Sequence, residues 1–280
     1  MNLDRPPYIH IAGSVCRMVL HLILLTLMVG VAAAQIGPVF TNLSRADGLS
    51  GNRIIDVVQD HKGFIWIGTE SGLNRYDGHD FIKYNRETRD FISDEIQKLF
   101  VDSEGNLWVC STGGGVYLYR QSTDEFEFIN RSTHGLVSDR VQVIIEDANK
   151  LIWIGTDSGL NSFDRKNNKI NTWRANPNNP NSLSHNNIFD IISDEQGNLW
   201  IGTFGGGLNY LDVESGVITA IQSNTSSVNN QDLFIYDLEF LNSNTLMIGT
   251  SGSGLLSYDI QSKKLSSYPL QSCMMLTIFI

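Results

Sequence analysis

Disulfide-forming and metal-binding residues are scarce in this chain of 280 residues. It has three cysteines, at Cys16, Cys110 and Cys273, without a Cys-x-x-Cys motif and without a cluster of cysteine and histidine. A disulfide-held scaffold and a zinc module are therefore both unexpected. A phosphate-binding GxxxxGK[ST] loop and the ligand series of a calcium loop are also missing. We accordingly expect no cofactor and no bound metal.

Basic residues are also fewer than acidic ones. Lys and Arg number 20 against 30 Asp and Glu, and they form no basic run. Because nucleic-acid-binding proteins carry a basic patch that neutralises phosphates, we expect no nucleic-acid partner. The spacing of serine, histidine and the acids points to no catalytic residue.

The sequence has one long apolar run, at residues 18–30. Arg5 and Arg17 precede this run, and the small residues Ala32 and Ala34 follow it. This order of charged, apolar and small-residue regions is typical of a secretory signal peptide. The run is also shorter than the roughly 20 residues of a membrane span. The sequence therefore predicts a signal peptide at residues 1–34, with an uncleaved membrane anchor as the alternative, and an exported domain at 35–280.

The exported part of the chain repeats itself. Neighbouring copies are 42 to 47 residues apart, and four of the five tryptophans occupy one register of the repeat. A methionine takes that place in the fifth copy. The apolar neighbours of these side chains predict that they pack in a core and do not form a surface for stacking sugars. The predicted packing anchors are Trp66, Trp108, Trp153, Trp200 and Met247.

Each copy contains four short runs of strand character that are separated by turn residues. A D-x-x-G sequence precedes the second run in three copies, as at Asp60–Gly63, and suits a tight turn that ends on a left-handed residue. Four antiparallel strands in a repeat of 40–50 residues are typical of a β-propeller blade. The sequence predicts an all-β propeller with about five complete blades, near residues 53–85, 95–130, 140–174, 187–222 and 232–269.

The segment before the first copy predicts an extra strand. Residues 39–43 align with the outermost strands of the later copies, so we expect an orphan fourth strand there. The last complete blade already has its own fourth strand. We therefore expect an incomplete or open ring, and a fragment of a longer gene or a truncated product.

The four tryptophan copies read IWIGTESGLNRYD, LWVCSTGGGVYLY, IWIGTDSGLNSFD and LWIGTFGGGLNYLD. They resemble the two-component regulator propeller repeat, whose core is roughly G-x-L/I-W-I-G-T-x-x-G-L-x-x-Y/F-D. The resemblance implies the periplasmic sensor domain of a bacterial hybrid histidine kinase or of a membrane-bound diguanylate cyclase. It also implies partners: a second propeller or an output domain beyond this chain, and a possible homodimer of the full-length form.

A ligand is expected on the face where the connections between blades emerge, because polar loops of variable length on a rigid frame suit recognition. The candidate residues for this face are Arg45, Arg89, Arg174 and His185, and the expected ligand is an unknown small molecule or glycan. The predicted connections are residues 44–52, 85–95, 131–140, 175–187 and 223–232.

These observations predict a non-catalytic sensor propeller in the periplasm or on the periplasmic side of the inner membrane. One alternative is a propeller enzyme such as a lyase of the streptogramin type. That enzyme would need an inward-facing cluster of histidines and acids, and the repeats indicate none at a shared register. The other alternative is a scaffold propeller of the cell envelope.

Overall fold

A computed structural model of the chain describes residues 40–222 and 233–268. The chain divides into two compact units, Met1–Asn42 and Leu43–Ile280, and every described strand belongs to the second. The predicted signal peptide, the connection at 223–232 and the residues after 268 lie outside the described residues. Within the described part, no helix is long and apolar enough to cross a bilayer.

Five antiparallel sheets form the second unit, each built of four strands in chain order. We number these sheets as blades 1 to 5. The strands are β1 Ile54–Gln59, β2 Ile65–Thr69, β3 Gly72–Tyr76 and β4 Phe81–Tyr84 in blade 1; β5 Ile96–Val101, β6 Leu107–Ser111, β7 Gly115–Arg120 and β8 Glu125–Ile129 in blade 2; β9 Val141–Glu146, β10 Ile152–Thr156, β11 Gly159–Asp164 and β12 Lys169–Trp173 in blade 3; β13 Ile188–Ser193, β14 Leu199–Thr203, β15 Gly207–Asp212 and β16 Val217–Ala220 in blade 4; β17 Phe234–Asn242, β18 Thr245–Ser251, β19 Leu255–Asp259 and β20 Lys264–Ser267 in blade 5.

The predicted all-β propeller of four-stranded blades is confirmed, and each sheet falls within the residue range predicted for its blade. The inner strands β1, β5, β9, β13 and β17 pack against one another in succession. Among the described residues, no comparable packing joins β17 back to β1. This arrangement agrees with the predicted open ring.

The D-x-x-G turn is tied directly to the packing anchor of its blade. In blade 1, Oδ1 of Asp60 accepts hydrogen bonds from the backbone N–H groups of Lys62 and Phe64, which closes the turn. Oδ2 of the same carboxylate accepts the indole N–H of buried Trp66 at 2.8 Å. The next two blades repeat this bond at 2.8 Å, from Trp108 to Asp102 and from Trp153 to Asp147. One carboxylate thus fixes both the turn and the anchor.

Glycines after the anchors allow neighbouring blades to approach closely. A Cβ atom on Gly68 would lie 2.6 Å from Cγ2 of Ile96, and one on Gly202 would lie 2.5 Å from Cγ2 of Ile235. In both pairs the isoleucine belongs to the inner strand of the next blade. Cys110 takes this place in blade 2, where it is fully buried and where burial raises the pKa of its thiol.

One local feature differs from the sequence prediction. Short helical turns occupy three connections, at Arg45–Asp47, Arg86–Arg89 and Arg131–His134, where no helix was expected. Each begins with a capping box, in which the side chain of Ser44, Asn85 or Asn130 accepts backbone N–H bonds of the first turn. Turns of three or four residues are too short to show helical periodicity, which explains why the pattern missed them.

The predicted orphan strand at 39–43 is only partly described. Its described residues, 40–43, lie outside every strand, and Val39 lies outside the described residues. A strand forms by pairing with a neighbour, and each of the five sheets is complete with four consecutive strands of its own. Residues 40–43 are thus unpaired, as a strand without a partner would be, and the orphan strand stays a prediction.

Candidate functional site

The turns between the second and third strands share a face with the connections between blades, as predicted. In blade 2, the backbone N–H groups of Gly113 and Gly115 donate to the carbonyl of Asp139 in the connection to blade 3, both at 2.9 Å. In blade 4, Gly205 and Gly207 donate in the same way to Leu233. We call this side of the molecule the connection face.

All four candidate residues are exposed, and three of them lie in connections without an ion pair to another blade in the described part of the chain. Arg45 lies in the first short helical turn, Arg174 follows β12, and His185 accepts a hydrogen bond at Nδ1 from the backbone of Asn187 at 3.2 Å. Within the described residues, no hydrogen bond or ion pair joins any of the four candidates to another. Their role in binding remains a prediction.

Arg89, the fourth candidate, is engaged in a link between blades 1 and 2. Its Nη2 lies 2.7 Å from Oδ2 of Asp124, and its guanidinium lies 5.3 Å from the ring centre of Tyr84. Oδ1 of Asp124 also accepts the hydroxyl groups of Tyr84 and Tyr119, each at 2.9 Å. Burial opposes ionisation of Asp124, but the hydrogen bonds from Arg89 and the two tyrosines outweigh it and lower the pKa of the carboxyl. These contacts give Arg89 a place in blade packing.

A set of inner-strand residues that sequence reasoning overlooked lies at one register of the five blades. Each pairs with the glycine of the I-G pattern in the second strand, or with the residue in its place, as with Gly68 in blade 1 and Gly249 in blade 5. We call them the channel residues: Asp56, Lys98, Val143, Asp190 and Asp237. Three acids and one lysine thus line the inner strands.

Two of these acids join neighbouring blades. Oδ2 of Asp56 accepts the backbone N–H of Leu99 at 2.9 Å and lies 3.3 Å from Nζ of Lys98. Oδ2 of Asp190 accepts the backbone N–H of Leu238 at 2.7 Å. Each carboxylate therefore satisfies a backbone donor on the inner strand of the next blade.

The surroundings of Asp190 raise the pKa of its carboxyl group. Burial raises its pKa to about 7, the negative charge of Asp237 adds to this, and a hydrogen bond from Leu238 and the positive charge of Lys98 oppose it. Lys98 belongs to blade 2 and Asp190 to blade 4. Their interaction therefore crosses the space that the inner strands enclose, and we call this space the channel.

Aromatic side chains surround the blade 4 and blade 5 end of this channel. Phe189 stacks on Phe204 with ring centres 5.0 Å apart, and Phe204 lies 4.5 Å from Phe234. Tyr236 meets Phe189 edge-on at 5.0 Å and is 49% exposed. We call these four residues the aromatic cluster. Phe189 and Tyr236 directly precede Asp190 and Asp237 in the chain, and ring contacts join the other two aromatics to them. We call this end of the channel, with the aromatic cluster and the two carboxylates, the channel mouth.

Comparison with known proteins identifies the repeats. A family model described as two component regulator propeller matches residues 48–71, 90–113, 135–158 and 182–205. Each matched stretch spans a connection and the first two strands of one blade. These repeats belong to the two-component regulator propeller family. Blade 5, whose anchor is Met247, lies outside the matched stretches, and its four strands extend the repeat by structure.

A curated relative and solved structures share these propeller repeats or their fold. Over 55 residues the chain is 44% identical to a histidine kinase of Formosa agariphila, which is 20% of this chain and 4% of the kinase. The extracellular domain assigned to a hybrid two component system of B. thetaiotaomicron superposes with a TM-score of 0.67 at 22% identity, over 81% of this chain and 31% of that one. Virginiamycin B lyase from Staphylococcus aureus reaches 0.61 at 12% identity, over 85% of this chain and 76% of the lyase.

These similarities differ in how much of each protein they cover and in sequence identity. The chain spans only a small part of the kinase and about a third of the extracellular domain. At 22% and 12% identity, the two structures show a common propeller fold. The activity, ligand and partners of the whole protein are therefore matters for proposal.

The channel residues of the propeller repeats could have been found from the sequence. In blades 1 to 4 each lies four positions before the aspartate that begins the next turn, as in IIDVVQD of blade 1 and IFDIISD of blade 4. The prediction concerned a cluster of histidines and acids at a shared register; the channel residues include three acids, Asp56, Asp190 and Asp237, and no histidine. In the described part of the chain, no group of three or more His, Cys, Asp or Glu is placed to hold a metal.

Proposed function

We propose that this chain is an exported, non-catalytic propeller that binds a ligand for a bacterial signal-transduction protein. The observation that carries the proposal is the channel mouth of blades 4 and 5, where the aromatic cluster adjoins Asp190 and Asp237. The family of the repeats supports a role in signalling. The leader-like segment at residues 1–34 supports export, with the periplasm as the compartment.

The chemistry of the mouth favours a polar molecule with at least one apolar face. Half-exposed aromatic rings bind apolar faces and CH groups, and the carboxylates of Asp190 and Asp237 accept hydrogen bonds from hydroxyl or amino groups. Lys98 supplies a donor on the opposite side of the channel. A small polar molecule or a glycan has this combination of groups.

The output of such a sensor would lie in another domain. The histidine kinase of Formosa agariphila is much longer than its matched stretch, which amounts to 4% of that protein. By this analogy we propose that ligand binding to the propeller is transmitted through a further propeller or a membrane-linked domain to a kinase or cyclase. Dimerisation of the full-length protein would be one way to couple ligand binding to the activity of the kinase or cyclase.

A thermal-shift screen tests the proposed function. The 280-residue chain is heated with a library of mono- and oligosaccharides, amino acids and small organic acids, and compounds that raise the melting temperature are retained. We expect a hit whose effect is lost in Tyr236→Ala and in Asp237→Asn, because both side chains are exposed at the mouth and neither supports the core.

Glu214→Gln is the matched control for the screen. Glu214 is an exposed acid in the turn between β15 and β16, on the side of blade 4 away from the connections. Its substitution should leave the stabilisation by the hit unchanged. A hit that stabilises all three variants and the parent chain equally would refute binding at the channel mouth, and so would the absence of any hit.

A further inference from the structure

A second concave site lies between blades 4 and 5 on the side opposite the connection face. It is a cavity of about 760 Å³, a volume that accommodates a small organic ligand. The turn that begins at Asp194 forms one wall, and the turn between β19 and β20 forms the other. Trp200, Tyr210, Tyr258 and Phe240 contribute aromatic surface to it. We call this cavity the blade 4–5 groove.

The anchor of blade 4 lacks a bond that the three preceding anchors make. Trp200 is 4% exposed, and its indole N–H has no hydrogen-bond partner. Oδ1 of Asp194 still accepts the backbone N–H groups of Gln196 and Asn198, at 3.0 and 2.8 Å. The turn is therefore intact, but the indole bond to Oδ2 found in blades 1 to 3 is missing. A buried donor without a partner lowers the stability of the fold. A ligand that brings the carboxylate of Asp194 and the indole N–H together would remove this penalty.

The gap between blades 2 and 3 shows what completes the arrangement. There the guanidinium of Arg165 lies 5.5 Å from the ring centre of Trp108, and its Nη1 lies 3.0 Å from Oδ2 of Asp102. The same Oδ2 accepts the indole N–H of Trp108 at 2.8 Å. The carboxylate thus stands between a tryptophan and a cation, and each of them holds it in place.

Blades 1 and 3 cover their anchors in related ways. Arg75 lies 5.7 Å from the ring centre of Trp66, and the ring of Trp173 lies 5.1 Å from that of Trp153. Two of the three gaps therefore place a guanidinium of the chain itself over the anchor. Cations are attracted to the faces of aromatic rings, most strongly to tryptophan.

The blade 4–5 groove has the tryptophan and the aspartate that such a cation would contact, but other residues occupy the positions of the two arginines. Ile260 follows the last residue of its strand as Arg165 does, and Tyr210 lies opposite Trp200 as Arg75 lies opposite Trp66. The rings of Tyr210 and Tyr258 lie 4.8 and 5.4 Å from that of Trp200. Burial raises the pKa of Tyr210, and the negative charges of Asp194 and Asp212 raise it further. The electrostatic environment at this tyrosine is therefore negative.

We propose that the blade 4–5 groove binds a small organic cation, a guanidinium or amidinium group on an apolar body. The cationic group takes the place that Arg165 holds in the gap between blades 2 and 3. Oδ2 of Asp194 then accepts hydrogen bonds from both the cation and the indole of Trp200. The apolar body packs between Tyr210, Tyr258 and Phe240. This site is separate from the channel mouth and does not depend on the proposed sensor role.

Three probes of nearly equal shape and different charge test the proposal. Benzamidine, benzamide and benzoate are each titrated into the 280-residue chain by isothermal titration calorimetry. We expect benzamidine to bind at least about tenfold more tightly than the other two, because only it offers a cation to Asp194 and the tryptophan face. Equal or tighter binding of benzamide or benzoate would overturn the proposal, and so would absence of benzamidine binding.

Matched variants locate the binding. Asp194→Asn should weaken benzamidine binding by about tenfold or more, whereas Asp147→Asn, the same change in blade 3, should leave it unchanged. Lys263→Met removes a positive charge from the cavity lining and should strengthen binding. If Asp147→Asn weakens binding as much as Asp194→Asn does, the site is not in the groove.

The indole proton of Trp200 gives a readout that does not depend on affinity. Its NMR resonance, identified by its absence in Trp200→Phe, should move downfield with benzamidine as the bond to Asp194 forms. The indole resonances of Trp66 and Trp108 should stay in place because their bonds already exist. An unmoved Trp200 resonance under saturating benzamidine would contradict the proposed coupling.

Discussion

Replacing Gly202 by alanine tests the contact that sets the distance between blades 4 and 5. The new Cβ would lie 2.5 Å from Cγ2 of Ile235, 3.2 Å from its Cβ and 3.6 Å from Cδ1 of Leu238. Carbon atoms pack best at about 3.5–4.0 Å, so the shortest contact is too close by roughly 1 Å. Ile235 is fully buried, and a β-branched side chain in a strand has little rotamer freedom. We expect a loss of about 1–3 kcal/mol in the free energy of unfolding.

Gly249 offers the matched control in blade 5. It follows Met247 as Gly202 follows Trp200, but among the described residues the nearest atom to a Cβ there would be Cβ of Asp237 in its own blade, at 3.5 Å. That distance is an ordinary contact. Gly249→Ala should therefore change the free energy of unfolding by less than about 0.5 kcal/mol.

Urea unfolding followed by tryptophan fluorescence measures both variants, and midpoints are compared at a common slope. The double variant Gly202→Ala with Ile235→Ala adds a second check, because removing Cγ2 opens space for the new methyl group. The cost of the glycine change should then largely vanish, which gives a coupling energy of about 1–3 kcal/mol. Equal losses for Gly202→Ala and Gly249→Ala, or additive effects in the double variant, would refute the close-packing argument.

Two further predictions concern carboxylates. The pKa of Asp190 is raised to about 7 from 3.8, so between these values the folded chain holds a proton that the unfolded chain has lost. The free energy of unfolding should fall as pH rises from 4 to 7, by up to a few kcal/mol, and pH-dependent urea melts should show a flatter profile for Asp190→Asn. Asp60→Asn should lower the free energy of unfolding by about 1–3 kcal/mol because an amide NH₂ would face the indole N–H of Trp66. Asp194→Asn should lower it clearly less because Trp200 makes no such bond. Equal losses for the two variants in urea melts would contradict this reasoning.

The repeat made the architecture predictable from the sequence. Tryptophans at one register, strand-like runs and D-x-x-G turns are local signals, and their repetition along the chain makes the prediction stronger. The link from Asp60 to Trp66 shows why the two motifs occur together, because one carboxylate closes the turn and holds the anchor. The geometry of the connection face followed from the strand order alone.

The site was harder to predict because it depends on contacts between blades. Asp190 is altered by Asp237 of the next blade and by Lys98 two blades away, and no local pattern places these three together. Arg89 is a loop residue by sequence, but the structure pairs it with Asp124, 35 positions away. The missing indole bond of Trp200 is likewise invisible in a sequence that has the same aspartate six positions before the tryptophan.

A crystal structure of the 280-residue chain with the most stabilising compound of the thermal-shift screen would show whether the channel mouth is the binding site. We expect the compound to pack against the aromatic cluster, with Tyr236 on its apolar face and with a polar group hydrogen-bonded to Asp190 or Asp237. A compound bound only on the outer strands, or only beside the exposed connections of Arg45 and Arg174, with an empty channel mouth, would contradict it.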